Sequence, residues 1–383
     1  MRKKIICLEN LPYHANIKIG SHHYADNFSK NNDVLWVSLP WHFLQFLKDR
    51  KTDRIRNWNY NKPVQINQNL HAITPFVPLP YRNNLFLRSD FYLKHYYQFM
   101  LFLPSLIKSL GFLEPDILWF TDPRHISILE FVKPKKIFYR CVDNLEHFDD
   151  VPPGLIKYEE ELVKMSDEVF FTSNDLLNKF KYARDDLHYL PNGCQYDFFK
   201  KIKFCEIKLN KIKKYFSSSK LNVLYTGAIA EWFDFDAVYK MAENNNINIV
   251  LVGPVRVSIP KKIKNQLNVC FTGSFDYTYM PYFSHCSDIG IIPFVINEMT
   301  DSVNPIKLYE YSASGLPTIS SAFKTVKEIN GPFFVYDSLD EIDEALSWAI
   351  DANRNNKTMN KIDQFARNNS WSERVKYVEQ YFT

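Results

Sequence analysis

Lys307 and Glu310 stand three residues apart inside the stretch NPIKLYEYSASGLPTIS, which runs from Asn304 to Ser320. Asn304 and Pro305 have the character of a cap and a first helical position, so free backbone N–H groups and the positive end of a helix dipole would face whatever lies ahead. That is a place for an anion. Lys307 adds a point charge suited to a diphosphate. Glu310, one turn on along the same face, offers a carboxylate able to accept two hydrogen bonds from a ribose diol. Gly315-Leu316-Pro317 stops the helix and Thr318-Ile319-Ser320 starts a β-branched segment, giving the order strand, loop, helix, loop, strand. Taken alone, an amphipathic helix with Lys and Glu paired for solubility reads the same way.

A second set of candidates lies in the first half. Asp143 follows the apolar run Ile137 to Val142, so it belongs at the carboxyl end of a strand, where it either meets a substrate hydroxyl or caps the next helix. Asp122, Arg124 and His125 end the preceding strand in the same manner. His22 and His23 follow Gly20 at the start of the first long helix, placed to approach phosphates, although a lone histidine is more often idle. The six cysteines show no C-x-x-C pair and mostly sit in apolar runs, which predicts reduced core thiols with neither a disulfide framework nor a zinc site.

These groups need elements to hold them. With 383 residues the chain suits two domains of roughly 150 to 200 residues each, and two domains imply a cleft. The 31 Phe and 23 Tyr exclude a disordered chain. Six of the ten glycines (Gly193, Gly227, Gly253, Gly273, Gly290, Gly315) fall at predicted element ends in the second half. Met1-Arg2-Lys3-Lys4 precedes an apolar run that stops at Glu9, too short for a signal peptide and better read as a first core strand. No window reaches the roughly 18 to 20 apolar residues of a membrane span, so a soluble or peripheral protein is expected.

Charge is uneven beneath the net +4. Met1 to Leu110 carries 15 Lys plus Arg against 6 Asp plus Glu, so the basic residues concentrate in the amino-terminal part. There, Trp41 to Lys48 and Phe91 to Phe102 mix aromatics with Lys and His, as interfacial membrane segments do and as core helices with solvated lysines also do. The basic residues are dispersed and no nucleic-acid module accompanies them, which argues against a nucleic-acid partner.

Short apolar runs alternate with longer amphipathic ones. Strands are predicted over Lys4 to Leu8, Val34 to Ser38, His71 to Phe76, Ile117 to Thr121, Lys136 to Val142, Glu168 to Thr172 and His188 to Leu190. The series restarts with Asn222 to Thr226, Ile247 to Val252, Val269 to Thr272, Ile289 to Pro293, Thr318 to Ser320 and Phe333 to Tyr336. The fold class is therefore α/β, with two Rossmann-like, doubly wound parallel-sheet domains. The predicted boundaries are 1–200 and 221–365, with a polar Lys-rich linker over 201–220 and a last segment, 366–383, that crosses back to the first domain. Ligands of such sheets bind beyond the carboxyl ends of the strands.

One succession carries more than these patterns. Leu224-Tyr225-Thr226-Gly227-Ala228-Ile229, Trp232-Phe233-Asp234, Leu251-Val252-Gly253-Pro254, Asn268 to Gly273 with Tyr277 and Met280-Pro281, Asp288 to Phe294 and then Asn304 to Ser320 occur in one order. Together they resemble the carboxyl-terminal domain of GT-B glycosyltransferases of retaining family 4, most like the teichuronic acid, TuaH-type subgroup. Tyr139 to Asn144, Glu159 or Glu160, Ser166 to Ser173 and Leu190 to Gly193 fit the first half of the same pattern.

The resemblance implies a nucleotide-sugar donor held mainly by the second domain and an acceptor on the first. In that scheme Lys307 neutralises the departing diphosphate, while Asn304, Pro305 and Ile306 present backbone to the phosphates. Glu310 binds the ribose. Tyr277 and Met280 cover the base, with Gly227 and Arg256 beside the phosphates. The family's usual first glutamate, eight residues before Glu310, is replaced by Ser302. Asp301 is the adjacent carboxylate, and Ser302 and Val303 fall where the donor sugar would lie. His22, Asp122 and Arg124 belong to the acceptor side. No metal or other cofactor is expected.

The implied activity is a cytoplasmic transfer of sugar to a glycan acceptor, lipid-linked in surface polysaccharide synthesis and peripheral to an anionic membrane, by a retaining mechanism. An inverting enzyme with Asp143 as base, a sugar-nucleotide epimerase, and a catalytically silent glycan- or membrane-binding subunit remain as alternatives.

Overall fold

The structure, a computed structural model, describes residues 2–15, 18–42, 62–79, 81, 88–100, 102–147, 151–203 and 205–383. The chain divides into two units, Met1–Leu190 with Val375–Thr383, and Pro191–Arg374.

The first unit contains β1 (Lys4–Glu9), β2 (Asp33–Ser38), β3 (Trp41–His42), β4 (Val64–Asn67), β5 (Leu70–Ile73), β6 (Phe76–Val77), β7 (Ile117–Phe120), β8 (Lys136–Cys141), β9 (Glu168–Phe171) and β10 (Leu187–Tyr189). Eight of these form one sheet in the order β10-β9-β8-β7-β1-β2-β5-β4, while β3 pairs with β6 alone. Every pairing in the large sheet is parallel except β4 with β5.

Parallel strands are covered on both faces, which is why Ile5 to Leu8 and Ile117 to Phe120 are buried without alternation. One face packs Trp119 against Tyr24, Phe28 and Phe170, with Phe382 of the returning segment closing on Phe28 and Phe138. The other carries the aliphatic core around Ile6, Leu35, Leu118 and Tyr139.

The second unit contains β11 (Leu221–Thr226), β12 (Ile247–Val252), β13 (Val269–Gly273), β14 (Ile289–Ile292), β15 (Thr318–Ser321) and β16 (Phe334–Tyr336), all parallel, in the order β13-β12-β11-β14-β15-β16. In each unit the chain steps outward from its first strand to one side and later resumes on the other. The strand order thus reverses between β1 and β7 and between β11 and β14. The carboxyl ends at such a reversal diverge and leave room for a ligand.

Three expectations need correction. The division falls between Leu190 and Pro191, not at residue 200. The stretch read as a linker holds a helix, Glu206–Ile212, whose Ile212 is buried in the second unit's core. A helix that the sequence reading lacked, Asn356–Asn368, lies against Ile306–Ala313, with Phe365 stacked on Tyr309 at 5.7 Å.

Of the two aromatic-basic segments, residues 43–48 lie outside the described residues. The other folds as Asp90–Lys94 followed by a 3-10 turn, Tyr96–Phe99. It buries Leu93, Tyr96, Tyr97 and Met100 and leaves Phe91, Phe99 and Phe102 exposed. Among the described residues no helix is long and apolar enough to cross a membrane.

Candidate functional site

The helix Ile306–Ala313 is held at the β11/β14 reversal by a tyrosine. Gly290 on β14 has no side chain, and a Cβ there would lie 2.5 Å from the Tyr311 ring, so the ring rests on the strand. From that position the Tyr311 hydroxyl accepts the backbone N–H of Thr226 at 2.8 Å, at the carboxyl end of β11. Lys307, four residues earlier on the same face, is thereby carried to the residue after β11. That residue is Gly227, with φ of 141°, and a Cβ on it would sit 2.9 Å from Lys307 Cε. Only glycine gives both the backbone angle and the space.

Lys307 Nζ lies 4.9 Å from the centroid of Phe294 and 5.2 Å from that of Tyr225. Among the described residues no carboxylate stands within ion-pair reach of it and no acceptor takes its protons. Burial pulls its pKa down to about 8, against an upward pull from Glu310. A half-buried ammonium resting on two ring faces, with no counter-charge of its own, is chemically suited to an anion.

Glu310 is 9 % exposed and its Oε1 accepts the Tyr277 hydroxyl at 2.7 Å. Burial pushes its pKa up to about 7, opposed first by that hydrogen bond and then by Lys307. The Tyr277 ring is stacked on Phe198 at 5.4 Å and meets Phe199 edge-on. Tyr277, expected over a base, also positions Glu310 through this hydrogen bond. Met280 starts the next helix, Met280–His285, and packs part-buried against the core.

The cap at the start of Ile306–Ala313 also differs from expectation. Pro305 is the N-cap residue, and among the described residues no side chain takes the first-turn N–H groups of Ile306 and Lys307. Asn304 turns the other way: its Oδ1 accepts from the Asn192 backbone N–H at 2.9 Å, and its carbonyl accepts from Asn192 Nδ2 at 2.7 Å. The Asn304 amide nitrogen is buried with no acceptor among the described residues.

Arg256 is exposed, and its backbone N–H donates to the Ile229 carbonyl at 2.8 Å. The side chain therefore leaves from the loop that runs beside Gly227.

The residues expected at a donor sugar are occupied elsewhere. Asp301 Oδ1 accepts the Lys324 N–H at 2.8 Å and so caps the helix Lys324–Glu328. Ser302 is buried with its hydroxyl on the Met299 carbonyl, and Val303 packs part-buried against the core.

In the first unit, the β1/β7 reversal gathers Glu9, Thr121, Asp122, Arg124 and His125. Asp122 is 6 % exposed; burial alone would raise its pKa, but the Arg124 guanidinium, clasped to both its oxygens, holds it below the usual carboxylate range. Asp122 also caps the turn Pro123–Glu130. His125 is a core residue between the Tyr97 hydroxyl and the Glu9 carbonyl. His22 is fully buried, its ring tilted against Trp36 at 4.6 Å, and its Nδ1 accepts the Ile19 N–H that begins its own helix; burial lowers its pKa to about 4. His23 is likewise buried.

Asp143 behaves differently. Asn144, not Asp143, accepts from the backbone of the following turn, so the capping reading fails. Asp143 stands after β8, its carbonyl accepting from the Cys141 thiol; its carboxylate makes no side-chain hydrogen bond or ion pair among the described residues, and burial raises its pKa against a downward pull from Arg140.

Glu9 is the acidic group the sequence reading missed, although it ends the first apolar strand in the way Asp143 ends its own. Burial raises its pKa to about 8, against hydrogen bonds from the Ser21 and Thr121 side chains. Among the described residues no three His, Cys, Asp or Glu side chains gather as a metal site.

No family model matches the sequence. A curated relative, TuaH of Bacillus subtilis (strain 168), is named as a glycosyltransferase of teichuronic acid biosynthesis. It is 23% identical over 240 residues, a match covering 57% of this chain and 58% of the relative. The chain thus spans a little over half of that relative's length.

Solved structures match along the whole chain. Sucrose-phosphate synthase from Thermosynechococcus elongatus has a TM-score of 0.70 at 10% identity, covering 99% of this chain and 98% of that one. A glycosyltransferase from Rickettsia africae gives 0.65 at 14%, covering 100% and 98%. Anabaena Alr3699/HepE, solved in complex with UDP, gives 0.63 at 11%, covering 98% of each. With two Rossmann-like units, each reversing its strand order beside its first strand, the chain has the GT-B glycosyltransferase fold.

Proposed function

We propose that this protein is a glycosyltransferase that takes a sugar from a nucleoside-diphosphate donor, a UDP-sugar, and places it on a glycan hydroxyl. The observation that carries the reading is Lys307: a cation without a counter-charge of its own, beside Gly227 and the uncapped first turn of its helix, one turn from a carboxylate. As the bond from the anomeric carbon to the β-phosphate oxygen breaks, its electron pair goes to the diphosphate, and Lys307 with the helix N-terminus stabilises that charge. Lys307 and the helix dipole take the place a metal would otherwise have. Glu310 accepts from the ribose, and Arg256 adds a second charge by the phosphates. The UDP complex of the Anabaena structure and the glycosyltransferase relative support the donor class.

The acceptor belongs to the first unit, where Asp143 is the candidate carboxylate. In the retaining scheme the acceptor proton passes to the leaving phosphate; in an inverting one Asp143 takes it. Replacing Asp143 with Asn and following the anomer by NMR separates them. A retained product with activity within about tenfold supports the first scheme, and an inverted wild-type product overturns it.

A lipid-linked acceptor at a cytoplasmic membrane face is the further part of the proposal, with Phe91, Phe99 and Phe102 exposed near Lys94. Co-sedimentation with anionic vesicles tests it, and equal recovery with neutral vesicles argues against it.

A second reading has its own support. Ser302 stands at the position of the donor glutamate, and Asp301 beside it caps the helix Lys324–Glu328, as a binding subunit without turnover would allow. Calorimetry with UDP, together with product detection from UDP-sugars, decides. UDP binding without transfer or donor hydrolysis supports the silent subunit. No UDP binding at millimolar concentration sinks the transferase reading.

A further inference from the structure

Away from the β11/β14 reversal, the second unit carries an open groove of about 520 Å³ between the loop before β16 and the helices Ile342–Arg354 and Asn356–Asn368. That size falls in the range of roughly 300–1,000 Å³ found for small-molecule sites. Phe333, Trp348 and Phe365 line it, all half-buried, so part of each ring meets solvent. Five polar side chains stand around them: Asn330, Thr358, Lys361, Gln364 and Asn368. None of the five side chains makes a hydrogen bond or ion pair among the described residues, and Asn330, Lys361, Gln364 and Asn368 are open to solvent.

Ring faces beside amides without partners suit one class of ligand. The C–H face of a pyranose packs on an aromatic ring, and its hydroxyls, each donor and acceptor at once, match carboxamides that offer both in one group. Lys361 is the sole charged residue on this lining, so a sugar bearing a carboxylate gains there and a cationic ligand does not.

The groove is also tied to the donor helix. Phe365 stacks parallel on Tyr309, at 5.7 Å and 10°, and Tyr309 lies between Lys307 and Glu310 in the helix Ile306–Ala313.

We propose that this groove is a second saccharide-binding site, one that takes a carboxylated segment of the glycan chain. The identity of the glycan as the protein's own acceptor or product rests on the transferase reading; saccharide binding itself does not.

The test uses the full chain labelled with 5-fluorotryptophan, the Trp348 line being assigned by Trp348→Phe. It is titrated with tetragalacturonate and, separately, with maltotetraose. Tetragalacturonate is expected to shift the Trp348 line saturably, with maltotetraose weaker. Lys361→Ala should cost tetragalacturonate up to about fivefold in affinity and leave maltotetraose unchanged. Gln364→Ala should weaken both. Both replacements are at exposed positions and leave the fold intact, and saturating UDP should not displace either probe.

An unmoved Trp348 line at millimolar probe overturns the proposal. So does binding that ignores Gln364→Ala and is displaced by UDP, since that places the sugar at the donor helix. Probe binding in a protein that neither binds UDP nor transfers sugar would leave this site standing and remove the transferase reading. Transfer without probe binding would do the reverse.

Discussion

The two strand-order reversals have the same topology and opposite electrostatics. At β1/β7 Arg124 clasps Asp122, Thr121 donates to Glu9, whose pKa burial raises to about 8, and Tyr97 meets His125. At β11/β14 a glycine floor and two rings bring an ammonium into place and give it no carboxylate. Burying an unpaired charge costs stability, so a fold keeps one where something else supplies the partner. On the proposed reading, the second reversal takes its missing partner from a ligand.

Two replacements of a cation break this comparison most sharply. Lys307→Ala removes a desolvated charge, so the melting temperature should hold or rise, while turnover falls by roughly 10²–10³-fold through loss of leaving-group stabilisation. Arg124→Ala leaves Asp122 buried and unpaired, and should cost about 1–3 kcal/mol of stability with UDP affinity nearly unchanged. Thermal melts and UDP calorimetry on both proteins check the pair. If Lys307→Ala melts early while keeping UDP affinity, the lysine serves the fold and the contrast between the reversals is lost.

A smaller effect is expected at the glycine floor. Gly227→Ala adds a methyl 2.9 Å from Lys307 Cε at a φ of 141°, so the chain strains by about 1–3 kcal/mol or the lysine moves. Displacing a positioned charge by about an ångström lowers turnover on the order of tenfold to a hundredfold. Wild-type kinetics in Gly227→Ala would mean that Lys307 does not work from this position.

Much of this was legible in the sequence where one residue type or one period carries the information. The buried parallel strands read directly because both faces are apolar. Lys307 and Glu310 read directly because a helical spacing places them on one face.

What failed has a common cause. Val64–Asn67 alternates at the sheet edge and lacks a full apolar run. Glu206–Ile212 is Lys-rich and buries only Ile212, so it resembles a linker. Asn356–Asn368 shows its core through a narrow stripe, Ile362 and Ala366. The partners of the site residues were hidden for a different reason. Asn192 meets Asn304 across 112 positions and Tyr277 meets Glu310 across 33, and no local pattern encodes such pairs.

The smallest predicted effect concerns that last pair and pH. Glu310 must be ionised to accept from a ribose. Its pKa is raised from the ordinary 4.5 to about 7, so UDP affinity should climb as pH passes 7, then decline as Lys307 loses its proton beyond about 8. The same raised pKa means the folded chain holds a proton that the unfolded chain gives up between about 4.5 and 7, so this group's contribution to stability falls across that window.

Tyr277 donates to the ionised carboxylate and lowers its pKa. Tyr277→Phe should therefore move the rising limb of the UDP profile to higher pH, weakening UDP several-fold at pH 7 and less at pH 8. The loss should shrink for 2′-deoxy-UDP, which lacks one of the hydroxyls that Glu310 would receive. Equal losses for UDP and its deoxy analogue, with the midpoint unmoved, would return Tyr277 to the base and leave Glu310 positioned by its helix alone.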